Sequence, residues 1–525
     1  MFRFLKKQRL AARGMSCGKS RLASRETMFG MLEEGRLLRF GIVFAAAGIL
    51  ALFCLAGDAH DPLKHLLYAL LVLSLAVVQP VVSGDSALKK NSSLALFLGV
   101  ILLQVGIGEF LQGQAIEGRL DDRLVVLMLP YAFAPLILSV LMGPQIGLSA
   151  CLVGALWWSV LHVTRDPVVL LLAITGGLVA VLSTLRVRRR SRLLRAGFYS
   201  GIAVWILAVL SGLIGPVLWD SLTSTDWWSL AIESALAVGT GILTAVFVSG
   251  FLPMIEKLFG ITTEISWLEM ADLNHPLLRR LSLEAPGTYH HSLAMANLAE
   301  ACAEKVGASA TLCRVSAYFH DIGKLVKPEY FTENMPSGEN LHDELTPTMS
   351  ALVILSHVKE GVDLAVRNKL NRRVIDMIKQ HHGTTVVEYF YQRACQQEKD
   401  ARAGGSLMNV RPEDIPKVSE ESYRYPGPKP QTVEAVIMGL ADAAESASRS
   451  LERPTPQRLD DLVHDLLKDR IDDGQYDEAP VTVCQLQEIA SSLVSSLSSM
   501  YHSRIAYGRR NDDKPLTGKD LSRLA

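Results

Sequence analysis

The 525-residue chain has no net charge, with 53 basic residues against 53 acidic ones, so its overall electrostatics favour neither a nucleic-acid polymer nor an acidic substrate as partner. Cysteine is scarce: seven residues, widely spaced, with no CxxC pair and two of them inside apolar runs. That excludes a disulfide framework and reads as reduced, structural thiols in a membrane or cytosol-facing protein. There is no cleavable signal peptide pattern, because the basic region ahead of the first apolar run is long and further apolar runs follow it. The second half shows no apolar/polar alternation, so it holds no strand signal.

What is abundant is hydrophobic residues, 49% of the chain, concentrated in the first half. Eight apolar segments, at 38–56, 65–82, 94–111, 124–142, 145–163, 167–185, 196–218 and 228–252, each have the length needed to cross a hydrocarbon core of about 30 Å. The fourth and fifth meet through only Gly143-Pro144, so one broken or re-entrant segment is the alternative count. Basic residues cluster in the arm from Arg3 to Arg25, at Lys89-Lys90, and at six arginines within 186–195. With eight spans all three fall on one side, expected to be the cytoplasm, and the chain re-enters that side after Leu252. The opposite loops carry aspartates, and Trp227 and Trp228 anchor the last span at the interface. Glu109, Gln104 and Glu233 lie within spans, where the choice is between function and a carboxylate near the headgroups.

Ten of the thirteen histidines lie beyond Gly250. Among them are His291, the pair His320-Asp321, His357 and the pair His381-His382, and Asp442 follows. Five imidazoles and two carboxylates suit two divalent transition-metal ions such as iron, manganese or zinc, whereas magnesium or calcium would call for oxygen ligands. Two ions about 3.5–4 Å apart can assist an in-line displacement at phosphorus, which suggests phosphoester hydrolysis. The surrounding segments have a period near 3.6, so the ligands would converge from several helices, and Asp321, next to His320 but pointing elsewhere, is the natural bridge.

HHS at 290–292, HDIGK at 320–324, SHV at 356–358, HHG at 381–383 and LADAAE at 440–445 resemble the HD-domain phosphohydrolases. EKLFGITTE, DLNHPLL, APGTYHHS and ESYRYPGPKPQTVEA resemble one branch of them, the membrane-bound 7TM-HD cyclic-di-AMP phosphodiesterases of bacteria. The resemblance implies one ion on His291, His320, Asp321 and Asp442 and a second on Asp321, His357, His381 and His382, iron or manganese in both, and cleavage of cyclic di-AMP to 5′-pApA. It leaves His290 as the non-ligand of its pair. The HHExxDGxGYP pattern of cyclic-di-GMP phosphodiesterases is missing, since TTVVEYFY follows Gly383. The branch commonly has a large extracellular domain after the first span, where this chain has a short loop, and the 396–417 segment is longer than usual.

The expected protein is all-α: a basic arm at 1–37, a polytopic helical membrane domain at 38–252, a helical connector at 253–285, an all-helical HD domain at 286–508 and a polar tail at 509–525. Its expected partners are a cyclic dinucleotide and the lipid bilayer, with no nucleic-acid polymer and with room for a homo-oligomer. Lys324 is placed to meet a phosphate, alongside Asp321 in the catalytic set. Arg424, Tyr425 and Lys429 offer a substrate rim, or else a rigid proline-rich loop. Glu445 is expected either to orient a ligand histidine or to pair with Arg449. The alternatives are another cyclic nucleotide, such as cyclic di-GMP, or a membrane receptor whose HD domain only binds nucleotide.

Overall fold

The computed structural model describes residues 35–56, 62–82, 88, 90–161, 167–185, 187–215, 227–335, 340–408 and 417–502. Most of the basic arm, Lys89, Arg186, the tip of the 396–417 segment and the polar tail lie outside them. The protein is all-α; the β-type pairing among the described residues is one isolated bridge between Val386 and Arg424. Two compact units divide between Glu269 and Met270.

The first unit contains α1 (Arg36–Ala56), α2 (Pro62–Val82), α3 (Asn91–Ile116), α4 (Asp122–Met128), α5 (Phe133–Met142), α6 (Pro144–Leu161), α7 (Pro167–Ser183), α8 (Ser191–Leu210), α9 (Trp227–Phe259) and α10 (Glu264–Met270). Five stretches among the described residues are long and apolar enough to cross a membrane, with α4 and α5 counted as one; Leu66–Val78 and Pro167–Ser183 are shorter apolar helices. Phe44, Phe110, Phe247 and Phe251 are exposed, as side chains facing lipid are, and the protein is a multi-pass membrane protein.

The segment at 124–142 was expected to be one span, but Pro130 breaks it between α4 and α5. A break inside a membrane frees backbone groups that need partners. Here Gln104 Oε1 accepts the Ala134 amide (3.0 Å), and the Tyr131 hydroxyl donates to the Val126 carbonyl (2.9 Å). Gln104 is thus a structural cap, and Glu109 accepts from Trp157 Nε1 (3.1 Å). Glycines set the α8/α9 crossing: a Cβ on Gly197 would sit 2.3 Å from the Gly241 carbonyl oxygen, so only small residues permit this approach.

α9 does not stop at Leu252. It continues through Pro253 to Phe259 and ends at Gly260, whose φ of +64° suits glycine. Past the turn, Glu256 accepts the Thr263 amide (2.9 Å) and the Ser266 hydroxyl (2.6 Å), while Arg190 pairs with Glu269 (2.7 Å).

The second unit contains α11 (Pro276–Glu284), α12 (Pro286–Val306), α13 (Ala310–Phe319), α14 (Pro347–Arg367), α15 (Arg372–Gln380), α16 (Glu388–Met408), α17 (Val433–Arg449), α18 (Pro456–Asp472) and α19 (Val483–His502). The starts are written in the sequence. Pro286 and Pro347 open helices where a missing N–H costs nothing, and Ser309, Thr346, Asn371 and Thr432 cap the first turns of α13, α14, α15 and α17. α12 packs against α13, α17 and α19, burying Met295, Leu298 and Cys302 on one side and leaving His291 on the face toward α17.

Candidate metal centre

The site collects side chains from α12, α14 and α17 and from the C-terminal ends of α13 and α15. His320 closes α13 and His381 closes α15, each still in helical geometry, while Asp321 has already left the helix with φ −108° and ψ 17°. The separation of the His320 and Asp321 side chains therefore comes from a helix end, not from the helical repeat expected for this pair. Gly323 lets this end sit against α14, since a Cβ there would lie 1.8 Å from the His357 carbonyl oxygen. Gly439 does the same for α17 against His381, with a hypothetical contact of 2.4 Å.

The seven proposed ligands converge, and all but the partly buried His382 are buried. His291, His320 and Asp442 form one group able to hold an ion, and His357, His381 and His382 another. Asp321 lies between them: Oδ2 is 3.2 Å from His320 Nε2, and Oδ1 is 3.4 Å from His357 Nε2 and 3.8 Å from His381 Nε2. Asp442 Oδ1 is 3.1 Å from His291 Nε2, and its Oδ2 is 3.6 Å from His382 Nδ1.

Ring orientations are fixed from behind. Nδ1 of His320, His357 and His381 donates to the carbonyl three residues earlier in its own helix, Ala317 (2.8 Å), Ile354 (2.7 Å) and Ile378 (2.8 Å). Nδ1 of His291 donates to Glu445 Oε2 (2.6 Å), while Glu445 Oε1 accepts from Arg449 Nε (2.7 Å), so both expected roles of Glu445 are realised, one oxygen each. These bonds select the tautomer whose Nε2 lone pair faces inward, as metal ligation requires. His320 Nε2 and Asp321 Oδ1 are buried without a hydrogen-bond partner, an arrangement that costs free energy unless a cation fills it. The donor set fits divalent metal.

The electrostatics agree. Burial would raise the Asp321 carboxyl, but His320 and Lys324 hold it well below the usual range; burial is likewise outweighed at Asp442 by His291 and His320. Burial and the neighbouring His320 push His381 down to about 3, and burial with His381 keeps His382 neutral. At His320 burial is outweighed by the neighbouring Asp321, which raises the imidazole to about 10.

The other predicted positions divide. Lys324 Nζ bridges Asp321 Oδ2 (2.8 Å) and Glu333 Oε1 (2.7 Å), with the Phe331 ring 5.0 Å below it. Tyr425 is buried and stacks on His382 with centroids 4.2 Å apart. Arg424 and Lys429, expected either at a substrate rim or in a rigid proline-rich loop, have their cations paired within the protein. Arg424 pairs with Glu420 and Asp473 (3.0 Å) and donates to the Thr384 carbonyl, and Lys429 donates to the Gly474 carbonyl (2.7 Å). Both pin the proline-rich loop to the turn after α18. His290 is exposed and outside the cluster. Sequence reasoning passed over Glu333, which sits in a loop without periodicity; Thr288 donates to it (3.0 Å), and Gly287 lets the loop approach α12 closely.

Comparison with known proteins gives the same two parts in the same order. Residues 63–263 match the family described as 7TM receptor with intracellular HD hydrolase, and residues 288–447 match the HD domain. All seven apolar segments expected from 65 onward lie inside the first match. The chain is 34% identical over 470 residues to cyclic-di-AMP phosphodiesterase PgpH of Listeria monocytogenes, covering 87% of this chain and 60% of that protein. It is 33% identical to PgpH of Bacillus subtilis, covering 80% of this chain and 56% of that one. A crystal structure of the Listeria PgpH HD domain in complex with cyclic di-AMP is 42% identical, with 43% of this chain and 99% of that one covered and a TM-score of 0.40. The chain thus spans little more than half the length of these relatives. With both family models matched in order and the HD motifs gathered into one buried site, the chain belongs to the family of 7TM membrane proteins carrying an HD hydrolase domain.

Proposed function

We propose that the chain is a membrane-anchored, dinuclear-metal phosphodiesterase that hydrolyses cyclic di-AMP to 5′-pApA, with the HD domain in the cytoplasm and iron or manganese as the ions. The observation that carries the reading is Asp321, whose two oxygens face two different histidine groups. The substrate follows the names of the relatives, and cyclic di-GMP is disfavoured because the HHExxDGxGYP pattern is missing.

His291, His320 and Asp442 would hold one ion, His357, His381 and His382 the other, with Asp321 shared. Two divalent ions held there would supply hydroxide at neutral pH and would neutralise charge on the phosphoryl oxygens. The chain's part is preorganisation. Burial keeps His357, His381 and His382 neutral, so they bind without first losing a proton, and the helix carbonyls keep their rings aimed. Lys324, held protonated by Asp321 and Glu333 against its burial, places a positive charge beside the bridging carboxylate where an anionic diester arrives. Tyr425 covers the His382 ring and keeps water off that side.

The test is the full chain, purified in detergent and loaded with manganese or iron, incubated with cyclic di-AMP and cyclic di-GMP side by side. Linear product from cyclic di-AMP at the higher kcat/KM is expected. Equal or better turnover of cyclic di-GMP would overturn the substrate, and tight binding without turnover would favour the receptor reading.

A further inference from the structure

Four of the five ligand imidazoles are aimed by a hydrogen bond that Nδ1 donates to a helix carbonyl or to Glu445. His382 is the fifth, and among the described residues no hydrogen bond reaches its ring; Asp442 Oδ2 stands 3.6 Å from its Nδ1. Tyr425 covers one face of the ring, and its direction otherwise follows from the backbone that carries it. That backbone turns at once, with Gly383 at φ +57°. Thr384 is then held through each of its polar atoms. Its amide donates to Gln475 Oε1 (2.9 Å), its hydroxyl accepts from Gln475 Nε2 (3.0 Å), and its carbonyl accepts from Arg424 Nη1 (2.8 Å). One residue on, the Thr385 hydroxyl donates to the His382 carbonyl (2.8 Å), and the Thr385 carbonyl accepts the Tyr425 amide (2.9 Å).

We propose that Gln475 is a positioning residue for the ion on His357, His381 and His382, acting through the turn that carries His382; the assignment rests on the two-ion reading above. Gln475 hydrogen-bonds to none of the ligands, and three observations carry its role. The first is connection: Gln475 is 2% exposed, and its Nε2 also donates to Asp473 Oδ2 (2.7 Å), while Asp473 pairs with Arg424 (3.0 Å). The backbone behind His382 and the loop that brings Tyr425 onto its ring are thus tied into one network. The second is fit. A Cβ on Gly383 would lie 2.3 Å from Gln475 Oε1, so the turn rests directly on this side chain. The third is place: every proposed ligand lies within the HD-domain match at 288–447, whereas Gln475 follows α18, beyond its end. The segment after the match therefore completes a site whose ligands it does not supply.

The test is metal content per chain on the full chain, loaded with manganese and taken through a chelator series. Gln475→Met keeps the length of the side chain and removes its polar atoms. One ion should leave this variant at about tenfold lower chelator than in wild type, while the second stays. His382→Ala should loosen the same ion, and adding Gln475→Met to it should change nothing further, because a residue that acts through His382 then has nothing to act on. Thr384→Val removes one of the two Gln475 contacts and should give a smaller shift in the same direction; it decides the matter should Gln475→Met fail to fold. Wild-type retention of both ions in Gln475→Met or in Thr384→Val, loss of both ions together, or a further loss in the His382→Ala background overturns the positioning role alone. Wild-type protein that holds fewer than two ions overturns the two-ion reading, and the role of Gln475 with it.

Discussion

Glu445→Gln should separate the two proposed ion sites. Glu445 lies behind His291 and touches none of the other ligands, so its replacement should weaken the ion on His291, His320 and Asp442 and spare the other. Gln is nearly isosteric and can still accept from Nδ1, but it loses the charge that makes the 2.6 Å bond strong. Removing the partner of a ligand histidine typically costs about 10–100-fold in metal affinity, or about 1.4–2.8 kcal/mol. The lost pair with half-exposed Arg449 adds little, on the order of 0–1 kcal/mol to stability. Ala should be worse, because it leaves a buried Nδ1–H unpaired at a further cost of about 1–3 kcal/mol. The assay is metal content per chain by mass spectrometry across a chelator series. One ion should leave Glu445→Gln at roughly tenfold lower chelator than in wild type, while the second stays. Simultaneous loss of both ions, or wild-type retention of both, would refute the selective backing of one site.

Asp321→Ala removes the shared carboxylate and should abolish hydrolysis; two ions retained per chain would rule out bridging. His291→Ala should cost bound metal and activity while His290→Ala leaves the metal content near wild type, and equal metal loss in both would mean that the wrong member of the pair was chosen. Gly323→Ala forces a methyl group onto the His357 carbonyl, so the thermal midpoint should fall by several degrees, on the order of 1–3 kcal/mol of overpacking, and an unchanged midpoint would show that α14 yields freely. A cysteine-accessibility map should report Arg190 and the HD domain from the same cytoplasmic side; an outside signal at Arg190 would make the span count odd and remove the intracellular substrate.

Much of this was legible from residue types. The candidate metal ligands stand out because imidazole and carboxylate have few structural reasons to gather in adjacent pairs, as at His320-Asp321 and His381-His382. Helix starts were legible at Pro286, Ser309, Thr346 and Thr432, where capping chemistry is local. The break at Pro130 was not foreseen, since the apolar run continues across it, and Gln104, which caps the broken end, comes from a different helix. The continuation of α9 through Pro253 ran against a local rule for the same reason: tertiary packing outweighs the propensity of one residue. The pairing of Arg424 with Asp473 depends on a turn 49 residues away, which no local pattern encodes.

The backing of the ligand histidines also decides where variation can tune the site. His320, His357 and His381 are aimed by carbonyls of their own helices, and a carbonyl is present whatever side chain occupies that position. No point substitution at Ala317, Ile354 or Ile378 can delete those acceptors. His291 alone among the rings backed through Nδ1 depends on a replaceable side chain, and that side chain leads through Arg449 to the protein surface. Evolutionary or engineered adjustment of ring aim therefore has a dial at Glu445, on the α17 side of the centre, while the aim of His320, His357 and His381 is written into the backbone and inherited unchanged with the fold.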